Sequence, residues 1–389
     1  VTSAWYQDDR VWIGHADCRD VLAGLPDACV DAVVCDPPYE LGFMGKAWDG
    51  GGIAYSVELW AQVLRVLKPG GHLLAFGGTR TYHRMACAVE DAGFEIRDSL
   101  VWLYGQGFPA GDQNVGKAID KQAGVERTEY VGVRPGHEQF VGKDNIASLR
   151  DTGALSGKDG YTRPWMFDPE QVEAQHHTYA PATPEAKQWD GWHTRLKPAM
   201  EPIVLARKPF KGTVASCVLT HGTGALNIDG CRIESNGEHK VNRITTKRTT
   251  MAGDDRTPGA SGMFHEGSSF TPTNHDGGRY PANVLLDETV EFEQARYFYC
   301  SKAGVKERPK VGGIAHATVK PLALMRWLVR LVAPQGATVL DPFAGSGTTV
   351  EAALLEGMRC LAVESEEQYL PLIKVRVKRQ QPEPEEAAS

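Results

Sequence analysis

The sequence predicts an α/β protein built on a Rossmann-like, mostly parallel sheet that carries long insertions. Three observations predict it. Short apolar runs alternate with helical stretches of about ten residues near both ends of the chain, the pattern of strands joined by crossover helices. One apolar run, Val33-Val34-Cys35, stops at Asp36-Pro37-Pro38-Tyr39. Another, Thr338 to Leu340, leads through Gly345 and Gly347 into a helix, a second strand and an acid, Glu364.

In chain order, Val11 to Asp17 reads as a strand ending in a polar turn, Cys18 to Leu25 as a short helix, and the next apolar run as the strand into Asp36. Leu41 to Asp49 and three glycines form a loop with large apolar side chains, either a lid or packed surface. Val57, Leu59, Trp60, Val63 and Leu64 recur at helical spacing, and Lys68-Pro69-Gly70-Gly71 is read as the stop. His72 to Phe76 is a buried strand, Thr81 to Ala92 a helix, and Phe94 to Tyr104 one or two strands. Periodicity then fades from 105 to 197, too long a stretch for a plain loop. Pro202 to Ala206 returns as a strand, and a second irregular stretch follows from 210 to 297. Its basic residues (Lys240, Arg243, Lys247, Arg248) and nearby Arg232 are either a solvated loop or a phosphate-contacting surface. The expected organisation is therefore 1–104, an insertion over 105–197, a return strand over 198–209, a second insertion over 210–297, a further core half over 298–378, and an acidic tail over 379–389.

Composition bounds the rest. The 389 residues exceed a typical single core, and 42% apolar with 23% charged content is ordinary for a globular chain. No apolar run approaches the ~20 residues of a membrane span, and the opening residues read as no signal peptide. Eight cysteines without a Cys-x-x-Cys pair fit reduced thiols in a cytoplasm and give no metal site. The net charge of −7 leaves nucleic-acid binding open, because binding follows the distribution of charge.

The turn at 36–39 carries chemistry. Two prolines end the strand and stiffen an acceptor-rich turn beside an aromatic ring, where open α/β sheets bind ligands. The Asp36 carboxylate and Pro37 carbonyl suit the two N–H groups of an exocyclic amine, and Tyr39 suits a planar ring. The alternative is a strand-ending turn with a capping acid. In the second unit, the acid about twenty residues after the glycines is placed to take ribose hydroxyls. The third glycine of a dinucleotide loop is replaced by Val350, and no Gly-Lys-Ser/Thr follows. The loop therefore fits a nucleoside such as S-adenosyl-L-methionine. Thr318 and Lys320, before an amphipathic helix through Leu331, read as a carboxylate site or as simple capping.

Asp-Pro-Pro-Tyr together with Phe-Ala-Gly-Ser-Gly resembles the amino-group DNA methyltransferases, which make N6-methyladenine or N4-methylcytosine. With the catalytic motif first and the cofactor motif near the C-terminus, the order resembles the family's permuted β group. Likeness extends to His316-Ala-Thr-Val-Lys-Pro, Leu196 to Lys208 and Arg279 to Val284, segments similar to those of phage or mobile-element enzymes. The resemblance departs at Ala317, where the family more often has proline.

The resemblance implies a base flipped out of double-stranded DNA into the pocket at Asp36, Pro37, Pro38 and Tyr39, with direct methyl transfer from S-adenosyl-L-methionine. It implies that Asp341, Phe343, Gly345 and Gly347 wrap the cofactor, Glu364 holds its ribose, Thr318 and Lys320 its methionine end, and Asp17 its adenine. The acid at 36 points to adenine; cytosine N4 is the alternative, and a protein or RNA amino methyltransferase is a rival. The absence of a Pro-Cys pair argues against 5-methylcytosine chemistry. Target recognition is expected between the motifs, and a homodimer and a cognate restriction nuclease are candidate partners.

Overall fold

The computed structural model describes residues 3–41, 49–105, 107, 111–134, 176–233, 278–287, 290, 299–301, 307–316 and 318–380. The chain divides into two compact units. One comprises Val1–Gln106 and Ala199–Ser389, the other Gly107–Pro198.

The larger unit begins with β1 (Ala4–Gln7), β2 (Val11–His15), α1 (Cys18–Gly24) and β3 (Val30–Cys35). Then come α2 (Val57–Val66), β4 (Leu67–Phe76), α3 (Tyr82–Asp91) and β5 (Glu95–Leu103). Asp17 caps α1 and Ser56 caps α2, each side chain accepting an otherwise orphaned helix N–H.

The smaller unit holds α4 (Val115–Gln122), β6 (Tyr130–Val133), β7 (His177–Tyr179) and α5 (Pro184–Gln188). β6 and β7 pair antiparallel. Its internal knot is Asp120, only 2% exposed, which accepts from Arg127, from Ala182 N–H and from both the N–H and hydroxyl of Thr183.

The larger unit resumes with β8 (Met200–Arg207), α6 (Val214–His221), β9 (Val284–Asp287) and β10 (Tyr299–Ser301). It closes with α7 (Leu322–Val332), β11 (Thr338–Asp341), α8 (Thr348–Leu355), β12 (Arg359–Glu364) and α9 (Leu370–Lys378). The sheet runs β1-β2-β12-β11-β3-β4-β8-β5-β9-β10. Only the β1–β2, β4–β8 and β8–β5 pairings are antiparallel. Side chains alternate between two cores. Ala32 and Val34 of β3 pack with α7, α8 and α9, whereas Val33 and Cys35 pack with α1, α2 and α3. Burial on both faces is why these strands read as continuous apolar runs.

Two expectations change. Lys68-Pro69-Gly70-Gly71 does not separate α2 from the next strand; β4 begins at Leu67 and the four residues lie within it. The register jumps from Val30↔Leu67 to Ala32↔His72, so the segment bulges out of the ladder, with Gly70 at φ +76°. Pro69 is tolerated there because a bulge demands no ladder N–H. The second difference lies in 210–297, read as irregular. Thr213 and Ser216 form a capping box for α6, Cys231 packs in the core beneath Trp327, and β9 joins the main sheet beside β5. β9 is only four residues long, too short for periodicity to reveal. The loop residues 42–48, the basic residues Lys240, Arg243, Lys247 and Arg248, and the tail 381–389 lie outside the described residues. Arg232 is described and pairs with Asp229 at 2.7 Å.

Candidate active site

The sheet order puts the two sequence motifs side by side. β11 pairs in parallel with β3, Val339 beside Ala32 and Leu340 beside Val33. From β11 the chain moves outward to β12, and from β3 it moves the other way to β4. The carboxyl ends of β3 and β11 thus flank a topological switch point, the usual ligand crevice of such sheets.

Asp36 leaves β3 on the face that α7 covers. Its Oδ2 accepts from Lys320 Nζ at 2.5 Å, and its Oδ1 is buried with no hydrogen-bond partner among the described residues. A buried, unmatched carboxylate oxygen is costly unless something else supplies the donor. Tyr39 is fixed at both ends. Its carbonyl accepts from Thr81 Oγ1 at 2.7 Å, and its hydroxyl donates to Glu201 Oε2 at 2.9 Å. Burial, reinforced by the Asp36 and Glu201 carboxylates, pushes the Tyr39 phenol well above its ordinary value, so it stays a neutral donor. The turn beyond is braced from outside. Glu40, at φ +55°, has its N–H held by the buried Asp49 carboxylate at 2.8 Å, and its own carboxylate takes Gly52 N–H at 2.7 Å.

Lys320, read from the sequence as part of a carboxylate site or as simple capping, has its amino group among side chains of the other motif. It is 8% exposed and sits over the Phe76 ring at 4.7 Å. Its amino group meets Asp36, the Tyr39 hydroxyl at 3.0 Å and Glu201 at 3.2 Å. The reason is electrostatic: two carboxylates and a phenol converge on one cation at the start of α7. Burial alone lowers an amine's affinity for its proton, but Asp36 and Glu201 outweigh it and the Lys320 value is raised. Thr318, which precedes it, is exposed.

The neighbouring half is a glycine loop and an acid. Gly347 caps α8 at φ +80°, and a β-carbon there would meet Ile373 at 2.8 Å, so its bareness serves packing of α8 on α9. Gly345 lies under His316, whose Nε2 would be 3.2 Å from a β-carbon at that position. His316 in turn packs edge-on against Tyr369 at 4.4 Å. At the end of β12 the Glu364 carboxylate accepts from Gly345 N–H at 2.6 Å and Glu366 N–H at 2.8 Å. Burial pushes its carboxyl up to about 7. Asp341 is turned inward: 2% exposed, it accepts from Phe343 N–H at 3.0 Å, and burial lifts its carboxyl to about 7. It braces the loop from within. Phe343 is half-buried at the loop's start. Asp17 lies just past β2, next to β12, where its carboxylate takes Arg19 through two guanidinium contacts of 2.9 and 2.5 Å.

The sequence reading missed Glu201. It faces this site because β8 runs antiparallel to β4, so its amino end lies at the edge where the parallel strands finish. The available signal was an acid directly before an apolar strand, Glu201-Pro202-Ile203-Val204, which marks this edge only once the strand's direction is known. Opposite Glu201 on β5 stands Trp102, whose indole N–H has no acceptor among the described residues. Cys35, next to Asp36, is fully buried, and burial pushes its thiol well up, which leaves it inert as a nucleophile.

The chain is 23% identical over 301 residues to the type II methyltransferase M.HindIII of Haemophilus influenzae, covering 76% of this chain and 60% of that protein. It is 28% identical over 153 residues to the type II methyltransferase M2.DpnII of Streptococcus pneumoniae, covering 38% of this chain and 54% of the relative. The chain thus spans between half and two-thirds of the length of these two relatives. Among solved structures, the cytosine-N4-specific PvuII DNA methyltransferase superposes with a TM-score of 0.46 at 12% identity, covering 96% of this chain and 89% of that one. A family model described as DNA methylase, for N6 and N4 methyltransferases, matches residues 30–375. With that match running from β3 to α9, the chain belongs to the N6/N4 DNA methylase family.

Proposed function

We propose that the protein transfers a methyl group from S-adenosyl-L-methionine to the exocyclic amino group of a base flipped out of double-stranded DNA, with adenine N6 as the target. The motif order is that of the permuted β group. The observation that carries the reading is the β3–β11 pairing, which sets an amine-accepting turn beside a nucleoside-type glycine loop.

The residues fit the cofactor by their donor set. Glu364 ends the strand beside the loop, where a carboxylate suits a ribose diol, and each of its oxygens uses only one lone pair on backbone N–H. Asp17, one strand further out, suits the adenine amine, and the exposed Thr318 hydroxyl suits the methionine end. Phe343, Gly345 and Gly347 shape the loop, with Asp341 bracing it. The cofactor supplies an electrophilic methyl on a sulfonium centre.

The chain supplies position and charge. Asp36 Oδ1, buried and unmatched, accepts one N–H of the target amine, and the Pro37 carbonyl accepts the other. Tyr39, pinned by Thr81 and Glu201, offers its ring for stacking. Holding the nucleophile in line in this way is the main source of rate, through avoided entropy and solvent reorganisation. Flipping costs a few kcal/mol of unstacking, repaid by these contacts. The acid at 36 supports adenine. Target recognition falls to the Gly107–Pro198 unit and to 210–297.

The test is nucleoside mass spectrometry on plasmid DNA incubated with the protein and S-adenosyl-L-methionine, beside Asp36→Ala. N6-methyladenine that disappears in the variant bears the proposal out. N4-methylcytosine overturns the choice of base and keeps the chemistry. No methylated base in the wild-type reaction overturns the reading as a whole.

A further inference from the structure

Glu201 is assigned no role by either motif, yet it is the only other carboxylate that Lys320 reaches among the described residues. Register shows why it lies there. Asp36 follows Cys35, which pairs with Ala75; Phe76 pairs with Ile203; and Glu201 stands two residues beyond Ile203, opposite Trp102. Because side chains alternate along each strand, Asp36, Phe76, Glu201 and Trp102 share one face at one edge of the sheet. Lys320 lies across that face.

The hydrogen-bond accounting is tight. The Tyr39 hydroxyl has one proton and gives it to Glu201. The Lys320 ammonium has three, directed at Asp36 Oδ2, the Tyr39 oxygen and Glu201 Oε2. The result is that Asp36 is held by one donor on one oxygen, and Oδ1 stays open. Without Glu201, a buried phenol proton and an ammonium proton would both lack an acceptor. The nearest remaining one is Asp36, and an unmatched buried donor will turn toward it.

We propose that Glu201 is a positioning residue for methyl transfer: it clamps the Tyr39 hydroxyl and the Lys320 amino group, and so keeps Asp36 Oδ1 free for the substrate amine. This rests on the function proposed above. Glu201 touches neither substrate nor cofactor in this scheme; it acts through Tyr39 and Lys320. Both contacts fall on one oxygen, Oε2, so Glu201→Ala, which removes that acceptor, opens the clamp, whereas Glu201→Gln keeps an acceptor with two lone pairs and removes only the charge. The raised proton affinity of Lys320, set partly by Glu201, agrees with the clamp.

The experiment compares wild type, Glu201→Ala, Tyr39→Phe and the double variant by single-turnover methyl transfer to plasmid DNA. S-adenosyl-L-methionine binding is measured by calorimetry and folding by thermal melts. Glu201→Ala should slow transfer by about 30-fold while cofactor affinity stays within about twofold. The double variant should be no slower than the slower single by more than about threefold, because both changes release the same clamp. A rate near wild type, a parallel loss of cofactor affinity, or losses that multiply would each overturn the assignment. A second arm needs no activity: trace acetic anhydride labelling of Lys320, read by mass spectrometry. Labelling should rise about fivefold in Glu201→Ala as the amine loses a carboxylate partner; unchanged labelling overturns the clamp. If the wild type methylates no DNA, the proposed function falls, and the labelling still decides whether Glu201 holds Lys320.

Discussion

The Thr338 backbone N–H donates to the Asp31 carboxylate at 2.8 Å across 307 residues of chain, joining the first residue of β11 to the start of β3. The other Asp31 oxygen holds Lys68 at 2.5 Å. One acid therefore pins the two motif-bearing strands and the bulge in β4 at the edge opposite the active site.

Asp31→Ala should destabilise the larger unit by about 1–3 kcal/mol, since it strands a backbone N–H and a half-buried lysine. Urea unfolding should show a lower midpoint with an unchanged slope. A midpoint equal to wild type would show that the pin contributes nothing.

A second test concerns Arg376 of α9, which is 0% exposed and pairs with Glu351 of α8, itself 3% exposed. Its second terminal nitrogen, Nη2, donates to the Glu307 carbonyl at 2.7 Å. Glu351→Leu alone should cost about 3–5 kcal/mol, because it leaves a buried cation without its partner. The pair Glu351→Leu with Arg376→Met should recover most of that loss. Equilibrium unfolding of the three variants checks both statements.

Glu364 gives a pH prediction. Burial raises its carboxyl from the ordinary 4.5 to about 7, so between those values the folded chain keeps a proton that the unfolded chain has released. Its contribution to stability is full below 4.5 and is lost as pH rises through 7. The stability difference between wild type and Glu364→Gln should therefore move against the wild type from pH 5 to pH 8, by about 2–3 kcal/mol. A difference that stays flat over that range would show that Glu364 titrates normally. Affinity for S-adenosyl-L-methionine should run the opposite way, strengthening as Glu364 ionises.

In the Gly107–Pro198 unit, Asp120→Ala should open α4 and α5 without disturbing the sheet, because four donors lose one common acceptor. Limited proteolysis should then cut within 107–198 while the remaining fragments stay intact. Cutting spread evenly over both units would contradict the division.

The sequence by itself determined the two motif-bearing strands, the helices after them and the residues at their ends. Those features are local: apolar periodicity reports burial, and prolines, glycines and caps report where an element stops. The placement of Asp36 and Glu364 at strand ends, with Tyr39 and Gly345 in the turns that follow β3 and β11, was legible because the turn chemistry is written next to each strand. The bulge at 68–71 misled because glycine and proline also mark a stop. The contacts of Lys320 were not legible because its partners, Asp36 and Tyr39, lie 284 and 281 residues away. Only the tertiary structure decided that β11 lies against β3, that β8 runs antiparallel, and that Glu201 and Lys320 meet at Tyr39. Strand order and direction are set by the packing of two cores around one sheet, and no local pattern encodes which distant side chains that packing brings together.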